Sequence, residues 1–200
     1  RALAQGVSLA TVLDTVRRFR ESDKDTPVVL MGYLNSFERA GFARAMADIK
    51  AAGGDAVILV DCPVEALADY DADLKASGVT PIMLVAPTTT AERRQTILQH
   101  ASGFLYFVSL RGVTGTQQAD ADAIAADIRA LKADTDLPVC IGFGIRDGVT
   151  ARRMAELADG VVIGSALVAR LHQAAENGQN LADTARAFTA DIRAHLDQKD

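Results

Sequence analysis

A single α/β domain over residues 1–200 is predicted by three features of the sequence. Apolar runs rich in Val and Ile recur along the chain, Ala-rich amphipathic segments separate them, and the repeat of roughly 22 to 34 residues is the size of one strand plus one helix. The runs are PVVLMGY (27–33), AVILV (56–60), PIMLVAP (81–87), GFLYFVS (103–109), LPVCIGFG (137–144) and GVVIGSA (160–166). Each is apolar on both faces, as strands of a parallel sheet covered by helices are. With 49% hydrophobic residues and no linker or low-complexity tract, 200 residues are enough to build one core.

The segments between the runs carry helix signals. Ser8 opens LATVLDTVRRFR, Ser36 is expected to cap one helix through FERAGFARAMADIKAAGG that ends on Gly53 and Gly54, and Thr90 starts AERRQTILQHA. The segment ARAFTADIRAHL reads as a last helix on the flank of the sheet. Such alternation suits either an open doubly wound sheet or a closed barrel. Six strands are countable here, and a complete barrel of this kind has eight.

Charge and composition narrow the function classes. There are 21 Lys+Arg against 26 Asp+Glu, a formal charge of -5, and no basic stripe, so nucleic acid is not an expected partner. No apolar run is long enough to span a bilayer, nor does the sequence open on a signal-peptide pattern, and no membrane association is expected. Cys62 and Cys140 lie in or beside apolar runs without a C-x-x-C or His-rich neighbourhood, which predicts reduced packing cysteines, a cytoplasmic setting and no metal site. His100, His172 and His195 are expected as solvated helix residues.

In either architecture ligands bind at the carboxyl ends of the strands. After the successive runs come Tyr33 and Asn35, then Asp61 in DCPVE, Ser109 in SLRGVTG, GFGI, and GSA. Glycines after consecutive late strands let backbone amides point into a shared concavity, and Ser165 adds a hydroxyl at the start of the ALVARL helix. A phosphate fits there, with GVTG (112–115) able to close over it; tight turns requiring glycine are the alternative. Asp61 is read as an N-terminal cap in D-x-P-x-E or a subunit contact, ahead of a role as base or substrate-orienting carboxylate. Tyr106 shares a strand face with Phe104 and Val108, either as core or with its hydroxyl partnered in a site.

The ordered set PVVLMGYLN, AVILVDCPVEA, APTTT, ASGFLYFVSLRGVTG, LPVCIGFGI and ADGVVIGSALV resembles the α subunit of tryptophan synthase along nearly the whole chain. The resemblance implies a (β/α)₈ TIM barrel that cleaves indole-3-glycerol phosphate to indole and glyceraldehyde 3-phosphate, and passes indole to a β subunit. PLP is implied in that β partner and no cofactor in this chain. By resemblance the phosphate is held at Gly115, Phe143, Gly144, Gly164 and Ser165, and the active-site tyrosine is Tyr106. Met31, Tyr33, Ile58 and Leu84 then surround the indole ring, and Thr114 contacts the catalytic aspartate.

Two departures accompany the resemblance. The family's mobile loop carries Arg directly after the serine matching Ser109, whereas Leu110 stands here and the arginine is Arg111. The family's general acid, a glutamate, and its base, an aspartate, precede the position of Arg1, so the six runs are expected as the third through eighth barrel strands. The leading expectation is a carbon-carbon lyase within an αβ complex. The alternatives are a noncatalytic phosphate-binding or β-subunit-activating module, and another phosphosugar isomerase or epimerase.

Overall fold

The computed structural model describes residues 6–108, 117–142 and 144–198, with 117–123 as backbone only. By its internal contacts the chain divides into two compact units, Arg1–Leu84 with Gln95–Gly103, and Val85–Arg94 with Phe104–Asp200. Both are α/β units with parallel sheets.

The first unit runs α1 (Leu9–Ser22), β1 (Val29–Gly32), α2 (Leu34–Glu38), α3 (Phe42–Ala52), β2 (Ala56–Leu59), α4 (Val64–Leu67), a short 3₁₀ turn, α5 (Asp71–Ser77) and β3 (Thr80–Pro81). Its sheet has the order β1-β2-β3, all parallel, with Val29 opposite Ala56 and Ala56 opposite Thr80. β2 is buried at all four positions, so both its faces are covered, as its unbroken apolar run implies. Met46 and Ile49 of α3 and Val57 of β2 are fully buried in this core. Ser8 caps α1 through a reciprocal capping box with Thr11, as expected from sequence.

Residues 34–54 depart from the expected single helix. Gly41, at φ +91°, separates α2 from α3, and Ser36 lies inside α2 instead of capping it. Gly53 ends α3 in the left-handed conformation at φ +95°, as expected. Beside it the Arg20 guanidinium gathers loose ends of backbone. Its Nε donates to the Gly53 carbonyl at 2.9 Å, Nη1 to the carbonyls of Thr26 at 2.7 Å and Asp23 at 3.2 Å, and Nη2 to Asp55 Oδ2 at 2.8 Å.

The second unit holds the end of β4 (Met83–Val85), β5 (Leu105–Val108), α7 (Gln117–Ala133), β6 (Val139–Gly142), α8 (Gly148–Ala155), β7 (Gly160–Val162), α9 (Ser165–Glu176) and α10 (Leu181–Leu196); α6 (Ala91–His100) begins in it. The sheet order is β4-β5-β6-β7, with β5, β6 and β7 parallel. Thr90 accepts from the N–H of Arg93 at 3.2 Å and so caps α6 as expected. In β5, Leu105 and Phe107 are buried while Tyr106 and Val108 are half-buried, the alternation predicted for that run. α10 packs on α8 and α9.

The run 81–87, expected as one strand, is two. Thr80 and Pro81 pair with β2, Ile82 intervenes, and Met83 begins β4 of the other sheet. Pro81 brings no N–H to a ladder, which shortens the pairing on the first side. The last run ends as a strand at Val162, because Ser165 already opens α9.

Two predictions follow from these anchors. Arg20→Met, which removes four hydrogen bonds from a side chain only 16% exposed, is expected to cost about 2–4 kcal/mol in urea unfolding. Asp159 is held below the usual carboxylate range, first by the Lys132 ammonium at 2.6 Å and then by the N–H of Val139 at 2.9 Å. A lowered native pKa stabilises above the unfolded value and is lost as pH falls through the native one, so stability should fall on acidification below about pH 4. Asp159→Asn should flatten that part of the acid limb in urea midpoints measured against pH.

Candidate functional site

Within the second unit, Val108 lies opposite Gly142 and Gly142 opposite Val162. The segments leaving β5, β6 and β7 therefore start side by side at one edge of a parallel sheet, where ligands collect in such folds. After β6 the chain reaches α8 by way of Gly144 and Ile145, and after β7 it reaches α9 by way of Ile163 and Gly164.

Glycines at this edge serve three different ends. At Gly142 an added Cβ would lie 2.5 Å from Cζ of Tyr106 and closer still to the phenol oxygen, so this glycine makes room for the tyrosine. Gly144 sits at φ +76°, a conformation that side-chain-bearing residues rarely adopt. Gly164 needs neither explanation. Its φ is -122°, and an added Cβ would meet nothing among the described residues within 4 Å. What its missing side chain leaves is bare backbone in front of a helix.

That helix, α9, is 12 residues long, and Gly164 gives it no side-chain cap. The first turn of any helix presents N–H groups without intrahelical partners, at the positive end of the macrodipole. Ser165, exposed at its first position, adds a hydroxyl. The arrangement can hold an anion with three or more oxygens.

Tyr106 stands next to this edge, opposite Cys140 in register and half-buried. Burial pushes its phenol above the ordinary range, further from neutral pH, where a tyrosine is already protonated and can donate a hydrogen bond. Burial also pushes the Cys140 and Cys62 thiols up, the second further raised by Asp61 and Glu38, consistent with unreactive packing cysteines.

The other sequence-predicted residues fall in the first unit. Met31 is opposite Ile58 in register; Met31 and, at the end of β1, Tyr33 are exposed, whereas Ile58 is buried. Leu84 is half-buried in β4. Asp61 is a cap, but not of the helix expected: Pro63 precedes α4, while Asp61 Oδ1 accepts from the N–H of Leu34, the first residue of α2, at 2.7 Å. The physical reason is the parallel pairing of β1 and β2, which brings the end of one strand beside the helix that follows the other. Thr114, Gly115 and Phe143, with Ser109, Leu110 and Arg111, lie outside the described residues.

His195 also differs from expectation. It is half-buried rather than solvated, with Nδ1 at 2.8 Å from the Asp191 carbonyl and its ring over Gly148. The sequence does carry a signal for this: Gly148 follows the Asp147 N-cap at the first helical position, where no turn calls for glycine. Among the described residues no group of three or more His, Cys, Asp and Glu is placed to hold a metal ion, and no helix is long and apolar enough to cross a membrane.

Residues 1–196 match the family model described as tryptophan synthase alpha chain. The tryptophan synthase alpha chain of Burkholderia thailandensis is 51% identical over 197 residues, 98% of this chain and 72% of that protein, and that of Burkholderia multivorans is 50% identical over the same share. The crystal structure of the alpha chain from Legionella pneumophila superposes with a TM-score of 0.90 at 38% identity, covering 98% of this chain and 72% of that one. A chain from the tryptophan synthase α2β2 complex of Pyrococcus furiosus superposes with a TM-score of 0.85 at 32% identity, covering 97% and 77%. With half its residues shared and its backbone superposing over nearly its whole length, the chain belongs to the tryptophan synthase alpha chain family.

Proposed function

We propose that this chain, in the α-subunit role of its family, cleaves indole-3-glycerol phosphate to indole and glyceraldehyde 3-phosphate. The observation that carries the reading is Gly164, a glycine without a positive φ and with open space around it among the described residues, in front of the first turn of α9, which has no side-chain cap. The phosphate of the substrate is placed there, received by the amides of Gly164, Ser165 and Gly144 and by the Ser165 hydroxyl, with Gly115 and Phe143 of the same set. The residues assigned to the indole ring are Tyr33, Ile58 and Leu84, and Thr114 is assigned to the loop contact with the catalytic aspartate.

The reaction is a retro-aldol step. An acid protonates indole C3, a base takes the proton of the adjacent side-chain hydroxyl, the carbon-carbon bond breaks as that oxygen becomes the aldehyde, and its electron pair restores the indole ring. Following the resemblance, the acid is a glutamate and the base an aspartate ahead of the position of Arg1. Tyr106, a protonated phenol at neutral pH, is ancillary: it donates a hydrogen bond toward the substrate and does not carry the proton. No cofactor is needed for this step, and PLP is assigned to the β partner. The likeness to a subunit of an α2β2 assembly supports that partner, and the likeness in backbone to alpha-chain structures supports a (β/α)₈ barrel.

Gly164→Val tests the carrying observation, since its side chain projects into space that the described residues leave open in front of α9. It should weaken calorimetric binding of indole-3-propanol phosphate by about tenfold or more while the unfolding midpoint barely moves. Unchanged affinity would remove the phosphate from this edge. Gly144→Val should weaken binding as well, but with a loss of stability, because valine is strained at φ +76°. Tyr106→Phe is expected to lower turnover only about two- to fivefold, and Gly142→Ala, which evicts the ring, should lower it further; equal turnover in the two would sink the assignment of Gly142 as the space for Tyr106.

A further inference from the structure

We propose that His195 is a positioning residue: its imidazole, carried on α10, fills the space Gly148 leaves and fixes the start of α8, and through it the Gly144–Ile145 backbone. The proposal rests on the reading of that backbone as part of the phosphate site.

Gly148 is buried and its φ is not positive, so its lack of a side chain answers to space. A Cβ there would lie 2.8 Å from His195 Cε1 and closer still to Nδ1 and Cγ. The ring is oriented from its own helix. Nδ1 faces the Asp191 carbonyl at 2.8 Å, which assigns the proton to Nδ1 in the neutral ring, and Asp191 Oδ1 lies at 3.6 Å. One turn along α8, Arg152 grips the end of α10: its Nη1 donates to the His195 carbonyl at 3.4 Å and to the Gln198 carbonyl. The two helices are thus joined once by shape and once by hydrogen bonds.

The connection from Gly148 back to Gly144 has little slack. Asp147 Oδ1 accepts from the N–H of Thr150 at 2.8 Å, and the Thr150 hydroxyl oxygen accepts from the N–H groups of Arg146 and Asp147, both at 3.2 Å. Ile145 is buried at 4% exposure and anchors the remaining residue. A shift of the first residue of α8 is therefore passed to Gly144 instead of being absorbed by a loose loop. A histidine on the last helix then sets the position of an anion-binding amide that it does not touch.

The test is a double-mutant cycle of Gly148→Ala and His195→Ala, read by calorimetric affinity for indole-3-propanol phosphate and by amide hydrogen exchange over residues 144–147. Alanine favours helix over glycine, so without the imidazole in its way Gly148→Ala would be harmless or stabilising. The expected result is that Gly148→Ala alone weakens affinity about tenfold and speeds exchange in that segment, while adding His195→Ala recovers affinity to within about threefold of His195→Ala alone. In turnover assays of the αβ complex, Gly148→Ala should raise KM with kcat unchanged within about twofold. Additive effects, or single variants that lower the unfolding midpoint yet leave affinity and exchange unmoved, would overturn the proposal. Should the unsubstituted protein fail to bind the analogue, the phosphate reading falls, and exchange over 144–147 alone then decides on His195, coupling supporting it and additivity overturning it.

Discussion

Each sheet is registered at its base by the same reciprocal pair. In the first unit the N–H of Asp55 donates to the Val28 carbonyl at 2.9 Å, and the N–H of Val28 donates back to Asp55 Oδ2 at 2.8 Å. In the second unit Asp159 and Val139 do the same, at 2.9 Å in both directions. A cation on a preceding helix closes each pair, Arg20 on Asp55 and Lys132 on Asp159. Strands with a side-chain period of two turn every residue to the wrong face if they slip by one, so an anchor at the base decides what stands at the other end. With Asp159 clamped to Val139, Gly142 falls opposite Val162, and the segments carrying Gly144 and Gly164 leave the sheet together.

The contrast at that other end is chemical. The base is closed by carboxylates and cations that satisfy each other, whereas the carboxyl edge presents the amides of a helix first turn with no side-chain cap among the described residues, and a hydroxyl, in front of α9. Glycine there is not one signal but several. One admits the Tyr106 ring, one supplies a backbone angle, and one merely withholds a side chain. Only the third points to a ligand by itself, because no side chain among the described residues takes up the space it leaves. Gly148 adds a fourth use, admitting an imidazole from a distant helix.

Membership of the tryptophan synthase alpha chain family gives these details a consistent direction. The residues named by resemblance for the phosphate and those singled out by backbone geometry coincide at Gly144, Gly164 and Ser165. Asp61 shows where a motif alone misleads. D-x-P-x-E reads as a cap for the helix that follows, and the carboxylate does cap a helix, but the one after the neighbouring strand. The family resemblance carries no information about Gly148 and His195, which are joined only by the packing of α10 on α8.

Sequence alone determined the alternation of strand and helix, because period and propensity are local: unbroken apolar runs, Ser8 and Thr90 caps, and the left-handed stop at Gly53 are all legible within a few residues. It also placed the glycine-rich segments at strand ends, and its motifs named the family. Only tertiary structure decided which carboxylate met which amide, that the run 81–87 divides between two sheets, that Gly41 splits a helix, and that His195 is covered. The physical reason is distance along the chain. Asp61 lies 27 residues from Leu34, and a hydrogen bond or a ring in a glycine's space is set by which elements pack together, a choice no local window contains.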